Sequence, residues 1–354
     1  MSKKNMVAAA AAASLAALIA LILVGCGGGE GSPRSLGGST SATANTRVYQ
    51  GSSSTGDAWS WTITTSSSTF SATNAATGNT YSGTWASVSS GYIRLTIKKS
   101  TDTNVTVPTV MYGLEVPNTM FIAKPVGANT KPIMCAALGT APAGPDVTYN
   151  YIHIPEVNYA PDSGDAFGTL DFVISGNAFT GTQSRFNITG TALNPATVPY
   201  SLTCNNGLLS GGAVTGGITA SGVAILDYGP NLGGMAAVQA AASPVDINAI
   251  SAATYRGIHY NPTDGTFMVY GAAGSSGISL GTFSSLETNS QNPNYGTITF
   301  TGQPSPGQLT ATITYTAGGS ANAVFVENTI NGKYVLFGIV RHPAGTAHLV
   351  LVQQ

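Results

Sequence analysis

Charged side chains are scarce in this chain of 354 residues. Lys and Arg number 13 and Asp and Glu number 14, so charged residues make up 8 % of the sequence, against about 25 % in an ordinary soluble domain. So few charges cannot build a basic patch for nucleic acid or a polybasic membrane surface, and we expect no nucleic-acid partner. The polar surface must come from Ser, Thr, Asn and Gly, which favours β-strands joined by turns.

Cysteine is scarce as well, with three residues in the whole chain. Cys26 belongs to the export signal described below, which leaves Cys135 and Cys204. In an oxidising compartment these two thiols can form a disulfide, which is one alternative. The other is that each cysteine is a small buried hydrophobic residue. Neither belongs to a C-x-x-C or H-x-x-x-H pair, and this argues against a metal site.

Several motifs of enzymes and metal sites are missing. The sequence contains no H-E-x-x-H, P-loop or G-x-G-x-x-G pattern. Asp162-Ser163-Gly164 has the letters of an aspartic-protease turn, but that chemistry needs two such carboxylates and only one copy occurs. Asp162 and Asp165 could instead contribute to a loop Ca²⁺ site, although such sites take more oxygen ligands. We therefore assign no catalytic residue, no metal ligand and no cofactor, and favour a protein that is not an enzyme.

The first 26 residues carry the clearest pattern in the chain. Lys3 and Lys4 give a basic start, the stretch 6–24 has no charge, and Leu23-Val24-Gly25-Cys26 follows. A basic start, a short apolar core and a small residue before the cleavage point are typical of a secretory signal. The ending resembles the lipobox of bacterial lipoproteins. The resemblance implies that Cys26 is acylated, with palmitate as a typical chain, and becomes the mature N-terminus.

A tether follows the signal, because residues 27–45 are rich in Gly and Ser and poor in apolar side chains. An Asp directly after the acylated cysteine retains many such lipoproteins in the inner membrane, and Gly27 stands there instead. The resemblance therefore implies a lipid anchor in the outer membrane, on its periplasmic or its surface side. The alternative for the apolar stretch is a transmembrane helix, against which the Gly run after Cys26 argues.

The body of the chain reads as strands. Short runs alternate apolar and polar residues, as in Trp59-Ser60-Trp61-Thr62-Ile63-Thr64, and turn residues separate them. The best helix candidate is the Ala-rich stretch 235–250, which Gly234 and Pro244 limit to a turn or two. We predict an all-β fold of tandem antiparallel β-meander units, either small barrels or sandwiches. The Gly-Thr strand starts resemble, in a general way, ligand-binding barrels of the avidin and lipocalin kind.

Internal repeats divide this body into three units. Thr148-Tyr149-Asn150-Tyr151-Ile152-His153 matches Thr254-Tyr255-Arg256-Gly257-Ile258-His259, with a weaker copy beginning at Arg47. The stretches 110–125, 223–238 and 324–340 each read as strand, turn and strand, and we align them as equivalent unit ends. The predicted organisation is a signal peptide at 1–25, a lipidated Cys and tether at 26–45, and β-units at 46–141, 147–245 and 250–354.

Two groups of side chains are candidates for a site. His153 and His259 share a repeat position, which predicts a structural role. His342 and His348 flank a turn and could share a metal, but no carboxylate or Cys lies nearby in sequence to complete the site. Trp59, Trp61 and Trp85 all lie in the first unit; they either stack on a sugar or form the core of their sheet, and the core is the commoner use. We expect a non-enzymatic binding or surface-interaction role with a protein or glycan partner. The alternatives are a small-molecule or glycan carrier with a barrel pocket, and a cell-envelope hydrolase with a dispersed site.

Overall fold

The computed structural model describes residues 45–53, 58–126, 131–139, 141–142, 144, 146–154, 164–229, 233–342 and 344–354. The signal, Cys26 and the tether predicted at 26–45 lie outside this part apart from residue 45. So does Asp162. In the part of the chain that is described, no helix is both long enough and apolar enough to span a membrane.

The body forms three closed antiparallel barrels of eight strands each, in which every strand pairs with its neighbours in sequence and the last strand pairs with the first. The all-β prediction is confirmed, and of the two closures considered the units take the barrel. The first barrel contains β1 (Thr46–Ser53), β2 (Ala58–Thr64), β3 (Thr69–Asn74), β4 (Thr80–Ser87), β5 (Ile93–Ser100), β6 (Thr109–Val116), β7 (Met120–Ala123) and β8 (Ile133–Ala137).

The other two barrels repeat this up-and-down order. The second contains β9 (Asp146–Ile154), β10 (Phe167–Ser175), β11 (Ala178–Phe186), β12 (Ala192–Asn205), β13 (Leu208–Gly211), β14 (Val214–Ile218), β15 (Val223–Asp227) and β16 (Gly234–Gln239). After the helix α1 (Ile247–Ala252), the third contains β17 (Tyr255–Asn261), β18 (Gly265–Gly274), β19 (Gly277–Ser285), β20 (Ser290–Ser305), β21 (Gln308–Tyr315), β22 (Ser320–Ile330), β23 (Lys333–His342) and β24 (Gly345–Gln353).

Two sequence-based assignments are wrong in detail. The stretch 235–250 is helical only from Ile247, because residues up to Gln239 form β16, which closes the second barrel by pairing with β9. The alignment of unit ends is off by one strand in the second unit. There 223–238 spans β15 and β16, whereas 110–125 covers β6 and β7 and 324–340 covers β22 and β23. Apolar strand pairs with a polar turn look alike in sequence, and only the closing pair shows which is last.

The two faces of a strand have different surroundings, as the two-residue period of a strand requires. One face fills the interior of its own barrel. Where the barrels meet, their outward faces form one shared apolar centre, which includes Met134 from the first barrel, Ile225 from the second and Val326 from the third. On β15, for example, Leu226 points into the second barrel and Ile225 points into the shared centre.

Polar contacts join each pair of barrels around this centre. The Ser52 hydroxyl donates to Asp227 at 2.5 Å between the first and second barrels. The Gln308 side-chain amide of the third barrel donates to the Gly168 carbonyl of the second at 3.0 Å. Between the first and third barrels, the Tyr92 hydroxyl donates to the Val269 carbonyl at 2.6 Å. The three barrels therefore form one closed triangle.

Three equivalent turns meet at one end of this triangle, where each barrel joins its sixth and seventh strands. The Thr119 hydroxyl of the first barrel accepts a hydrogen bond from the Asn331 side chain of the third at 3.1 Å. It also accepts one from the Ser221 hydroxyl of the second at 3.4 Å. We call this the turn end. The opposite end, where β9 and β17 finish, is called the histidine end.

Candidate functional site

The described part of the second barrel holds a dense polar group at its histidine end, which we call the Asp165 cluster. The Asp165 carboxylate accepts hydrogen bonds from the Tyr151 hydroxyl at 2.8 Å and the Gln183 amide at 3.0 Å. The Arg185 guanidinium lies 3.4 Å from the same carboxylate. The cluster consists of Tyr151, His153, Asp165, Gln183, Arg185, Tyr200 and Tyr228.

Strands β9, β11 and β12 and two loops at the barrel mouth bring these groups together. Tyr151 and His153 stand on the interior face of β9, and the His153 Nδ1 atom lies 2.8 Å from the backbone carbonyl oxygen of Asp165. Tyr200 from β12 donates its hydroxyl hydrogen to the Gln183 side chain at 2.9 Å. Tyr228, which follows β15, packs its ring 5.8 Å from that of His153. Arg185 and Tyr200 are half-buried and form the outer rim of the cluster.

Burial governs the protonation of this cluster. Desolvation raises the pKa of the Asp165 carboxyl, while the His153 ring, the Tyr151 hydroxyl and Arg185 act in the opposite direction. Desolvation also raises the pKa of Tyr151 and Tyr200, and the Asp165 charge adds to it. Both tyrosines therefore keep their protons at neutral pH and act as hydrogen-bond donors.

The chemistry of the cluster suits binding better than catalysis. A hydrolytic relay needs a nucleophile next to a base whose second nitrogen is oriented by an acid. None of the seven side chains is Ser, Thr or Cys, and the His153 Nδ1 atom faces a backbone carbonyl rather than a carboxylate. The half-buried Arg185 guanidinium and Tyr200 ring stand together at the rim, and a charged donor beside an aromatic ring is an arrangement that can orient a polar ring-shaped ligand.

His259 occupies the equivalent place in the third barrel, but it is surrounded by rings. Its imidazole lies 5.2 Å from Phe267, 5.6 Å from Tyr295 and 6.3 Å from Tyr315, measured between ring centroids. Within the described residues neither ring nitrogen has a hydrogen-bond partner. Burial lowers the pKa of His259 to about 3, and the charge of His342 contributes. The residue is therefore neutral and acts as part of an aromatic core.

His342 and His348 lie on different sides of the barrel wall. His342 packs edge-on against Tyr315 in the mouth, with ring centroids 6.3 Å apart. His348 stacks on Tyr260 at 6.0 Å, and its neighbours in β24, Ala347 and Leu349, point into the interior, so His348 faces outward. Across the described ranges, no three His, Cys, Asp or Glu side chains come close enough to hold a metal ion.

In the first barrel the structure brings together two of the three tryptophans. Trp59 and Trp61 stack with ring centroids 6.1 Å apart, and both are buried in the interior core. Trp85 stands at the turn end, where its indole N–H donates to the Thr64 carbonyl at 3.2 Å. The reasoning from sequence missed Tyr81, which stacks on Trp59 at 5.6 Å and donates its hydroxyl hydrogen to Asp102 at 2.9 Å.

Tyr81 could have been found from the period of its strand, because Tyr81 and Trp85 are four residues apart and so share one face. Its stacking partner could not, because Trp59 lies two strands away. The half-buried Tyr81 and the carboxylate of Asp102 give the first barrel a mouth with an aromatic ring and a fixed acceptor.

Cys135 and Cys204 are free thiols buried in the interiors of different barrels. The Cys135 sulfur lies 3.9 Å from the Trp59 carbonyl oxygen. Burial raises the pKa of both thiols, which makes them poor nucleophiles. The structure therefore shows the second alternative, two small buried hydrophobic residues, and not the disulfide.

One sequence pattern that is typical of hydrolase active sites lies in the third barrel. The letters Gly277-Ile278-Ser279-Leu280-Gly281 spell the G-x-S-x-G pattern of a nucleophile elbow, which requires a sharp turn between a strand and a helix. These residues instead form the first half of β19, and Ser279 is exposed on its outer face. The motif is therefore a coincidence of letters.

Comparison with known proteins adds no relative to these observations. No protein-family model matches the chain, and no curated protein matches it at a significant level. The argument for function therefore rests on the three barrel mouths at the histidine end.

Proposed function

We propose that this chain is a lipid-anchored protein of the bacterial cell envelope that binds a polar, ring-containing ligand, such as a glycan, at its histidine end without catalysing a reaction. The observation that carries the proposal is the Asp165 cluster, in which polar groups held in place by mutual hydrogen bonds meet aromatic rings at a barrel mouth. Aromatic rings paired with oriented hydrogen-bonding groups suit a ligand with one apolar face and several hydroxyl groups.

The direction of the chain supports this use. The expected tether leads into β1 at Thr46, which lies at the turn end, because β1 runs from there toward the histidine end. An acyl chain on Cys26 would hold the turn end toward the bilayer. The histidine end of the three barrels would then face away from the lipid, where a glycan or protein partner is accessible.

Two alternatives have less support. A carrier of the lipocalin kind needs an open interior, but the interior of the first barrel is occupied by Trp61, Phe70 and Phe121, whose rings pack against one another. A hydrolase needs a nucleophile or a pair of carboxylates in one cleft, and the Asp165 cluster supplies neither. Eight-stranded barrels are just wide enough to be filled by side chains, which fits the binding of ligands at the mouths.

Array binding tests the proposal directly. The full-length protein in liposomes is applied to an array of bacterial envelope glycans, and the glycan that binds is then titrated against two variants. Arg185→Gln removes a charge from the rim of the Asp165 cluster and is expected to weaken binding by about tenfold, or ~1.4 kcal/mol. Arg94→Gln is the matched control, because Arg94 makes a similar long contact, 3.5 Å to Glu287, in a strand that begins at the turn end.

Retained binding in Arg94→Gln together with loss in Arg185→Gln supports the proposal. Failure of the wild type to bind any glycan, or equal loss in both variants, contradicts it. The anchor is checked separately with Cys26→Ser, which should leave the detergent phase, because acyl chains contribute about 0.8 kcal/mol for each buried CH₂ group. An unchanged membrane fraction of that variant contradicts the anchor alone.

A further inference from the structure

The turn end of the first barrel contains a buried ion pair. The Arg47 guanidinium contacts both carboxylate oxygens of Glu115, at 2.7 and 2.9 Å, and the Tyr49 hydroxyl donates to the same carboxylate. The side chains of Arg47 and Glu115 are 11 % and 7 % exposed. This two-pronged geometry is the strong form of a carboxylate contact, because planar N–H groups match both oxygens.

The third barrel repeats two of these three residues at the same places. Glu115 lies across from Phe121, and Glu327 lies across from Leu336, in the sixth and seventh strands of their barrels. Phe121 and Leu336 are in turn paired with the last strand. By the same strand count Tyr49 corresponds to Tyr255, since the Tyr-x-Gly stretches of β1 and β17 share one register.

The residue missing from this repeat is the arginine. Two positions before Tyr255 stands Ala253, where the first barrel has Arg47. The Tyr255 hydroxyl does not reach the carboxylate but donates to the Ile250 carbonyl of helix α1 at 2.7 Å. Glu327 is 0 % exposed, and among the described residues neither of its carboxylate oxygens has a hydrogen-bond partner.

A buried carboxylate without a partner is costly, and Glu327 stands at the place where the first barrel has an ion pair. The Tyr255 hydroxyl is close enough to Glu327 for the carboxylate charge to raise the pKa of the phenol, and Tyr255 is a neutral group. No cationic side chain of the described chain is paired with Glu327. The third barrel thus keeps the carboxylate acceptor of the first barrel and lacks its guanidinium donor.

We propose that Glu327 is the anchor of a ligand site at the turn end of the third barrel, which binds a guanidinium or a primary ammonium group in the place that Arg47 fills in the first barrel. Ala253 has no donor group to offer Glu327, so no described side chain takes the part of Arg47 there. Two N–H groups of a guanidinium would pair with the two Glu327 oxygens, as the Arg47 pair does with Glu115. The site is independent of the glycan-binding proposal and lies at the opposite end of the molecule.

Calorimetric titration of the full-length protein with methylguanidine tests this site, with tetramethylammonium as a cation that has no N–H donor. Wild type is expected to bind methylguanidine and not tetramethylammonium. Glu327→Gln is expected to weaken methylguanidine binding by about tenfold or more, whereas the matched variant Glu287→Gln, in an exposed glutamate, should bind as wild type does.

The variant Ala253→Arg provides the second, independent measurement. Its guanidinium should pair with Glu327, abolish methylguanidine binding and raise the midpoint of thermal unfolding. Two outcomes overturn the proposal: equal binding of both cations, which would indicate a general charge effect, and a folded wild type that binds neither cation. A lowered unfolding midpoint in Ala253→Arg would also overturn it, since the added arginine would then have found no partner.

Discussion

Glu327 and Glu115 are the same residue at equivalent positions, and their surroundings give them opposite effects on stability. Burial raises the pKa of Glu327 from 4.5 to about 7. Below pH 4.5 both the folded and the unfolded chain hold this proton, so the residue has no effect. Between pH 4.5 and 7 the unfolded chain releases it first, and the folded state loses stability as the pH rises.

We predict that Glu327→Gln has a higher free energy of unfolding than wild type at pH 8, and that this gain is absent at pH 4.5. The difference between the two pKa values corresponds to roughly 3 kcal/mol, which is an upper estimate. Urea denaturation of wild type and variant at both pH values measures it. As a control, Glu115→Gln should destabilise by about 3–5 kcal/mol at pH 8, since it leaves the charge of Arg47 buried without its partner. Equal effects of the two variants would contradict the different environments.

His259 gives a prediction in the acid range. Its pKa is lowered from 6.5 to about 3 by burial, so the unfolded chain takes up a proton first as the pH falls. Stability is present above pH 6.5 and is lost progressively below it. We predict that His259→Leu reduces this acid loss and costs little at pH 8, because no hydrogen bond is removed.

The matched variant for this prediction is His153→Leu. It should cost about 1 kcal/mol at pH 8, because the His153 ring gives up its contact with the Asp165 carbonyl. Denaturation curves at pH 5 and pH 8 separate the two histidines. A larger cost at pH 8 for His259→Leu than for His153→Leu would contradict this prediction.

Among the elements, helix α1 packs against the third barrel at its turn end. Asp246 caps it by accepting hydrogen bonds from the Asn248 and Ala249 backbone N–H groups. Ile250 is fully buried in the barrel interior, whereas Ile247 is only half-buried. We predict that Ile250→Ala costs about 2–5 kcal/mol. Ile247→Ala should cost clearly less, and thermal unfolding of the two variants makes the comparison.

The strands show how far the sequence determines this fold. β2 and β9 were predictable, because alternating apolar residues on a strand mark the buried face of a sheet. β16 was predicted in two ways, since 223–238 reads as strand, turn and strand while Met235-Ala236-Ala237-Val238 also begins the best helix candidate, and pairing with β9 decides for the strand. Local preference is a weak guide where tertiary pairing decides.

The candidate site was predictable only in part, for the same reason. The repeat of His153 and His259 was visible, but the partners that distinguish them come from other strands. Gln183 from β11 and Tyr200 from β12 lie at the same barrel mouth as His153. The aromatic rings around His259 come from β18, β20 and β21. Glu327 could not be singled out, because its missing partner is apparent only when two barrels are compared in register.

At the scale of the whole molecule, the shared apolar centre makes the three barrels depend on one another. We predict a single cooperative transition in calorimetry rather than three separate ones. Ile225→Ala, which removes side-chain volume from the shared centre, should broaden or split this transition. Leu226→Ala, from the adjacent position in β15, should lower the midpoint without splitting it, because Leu226 lies inside the second barrel. Three transitions in the wild type would contradict the prediction.

The closure of the three sheets bears on how such a weakly charged chain avoids pairing its strands with those of another copy. Soluble proteins commonly avoid self-association through net charge and through charged residues on edge strands. This chain has a formal net charge of only −1. Each of its sheets instead closes on itself, so that every strand has a neighbour on both sides. Strand pairing with another copy therefore requires a barrel to open first, and resistance to aggregation becomes a property of topology rather than of charge.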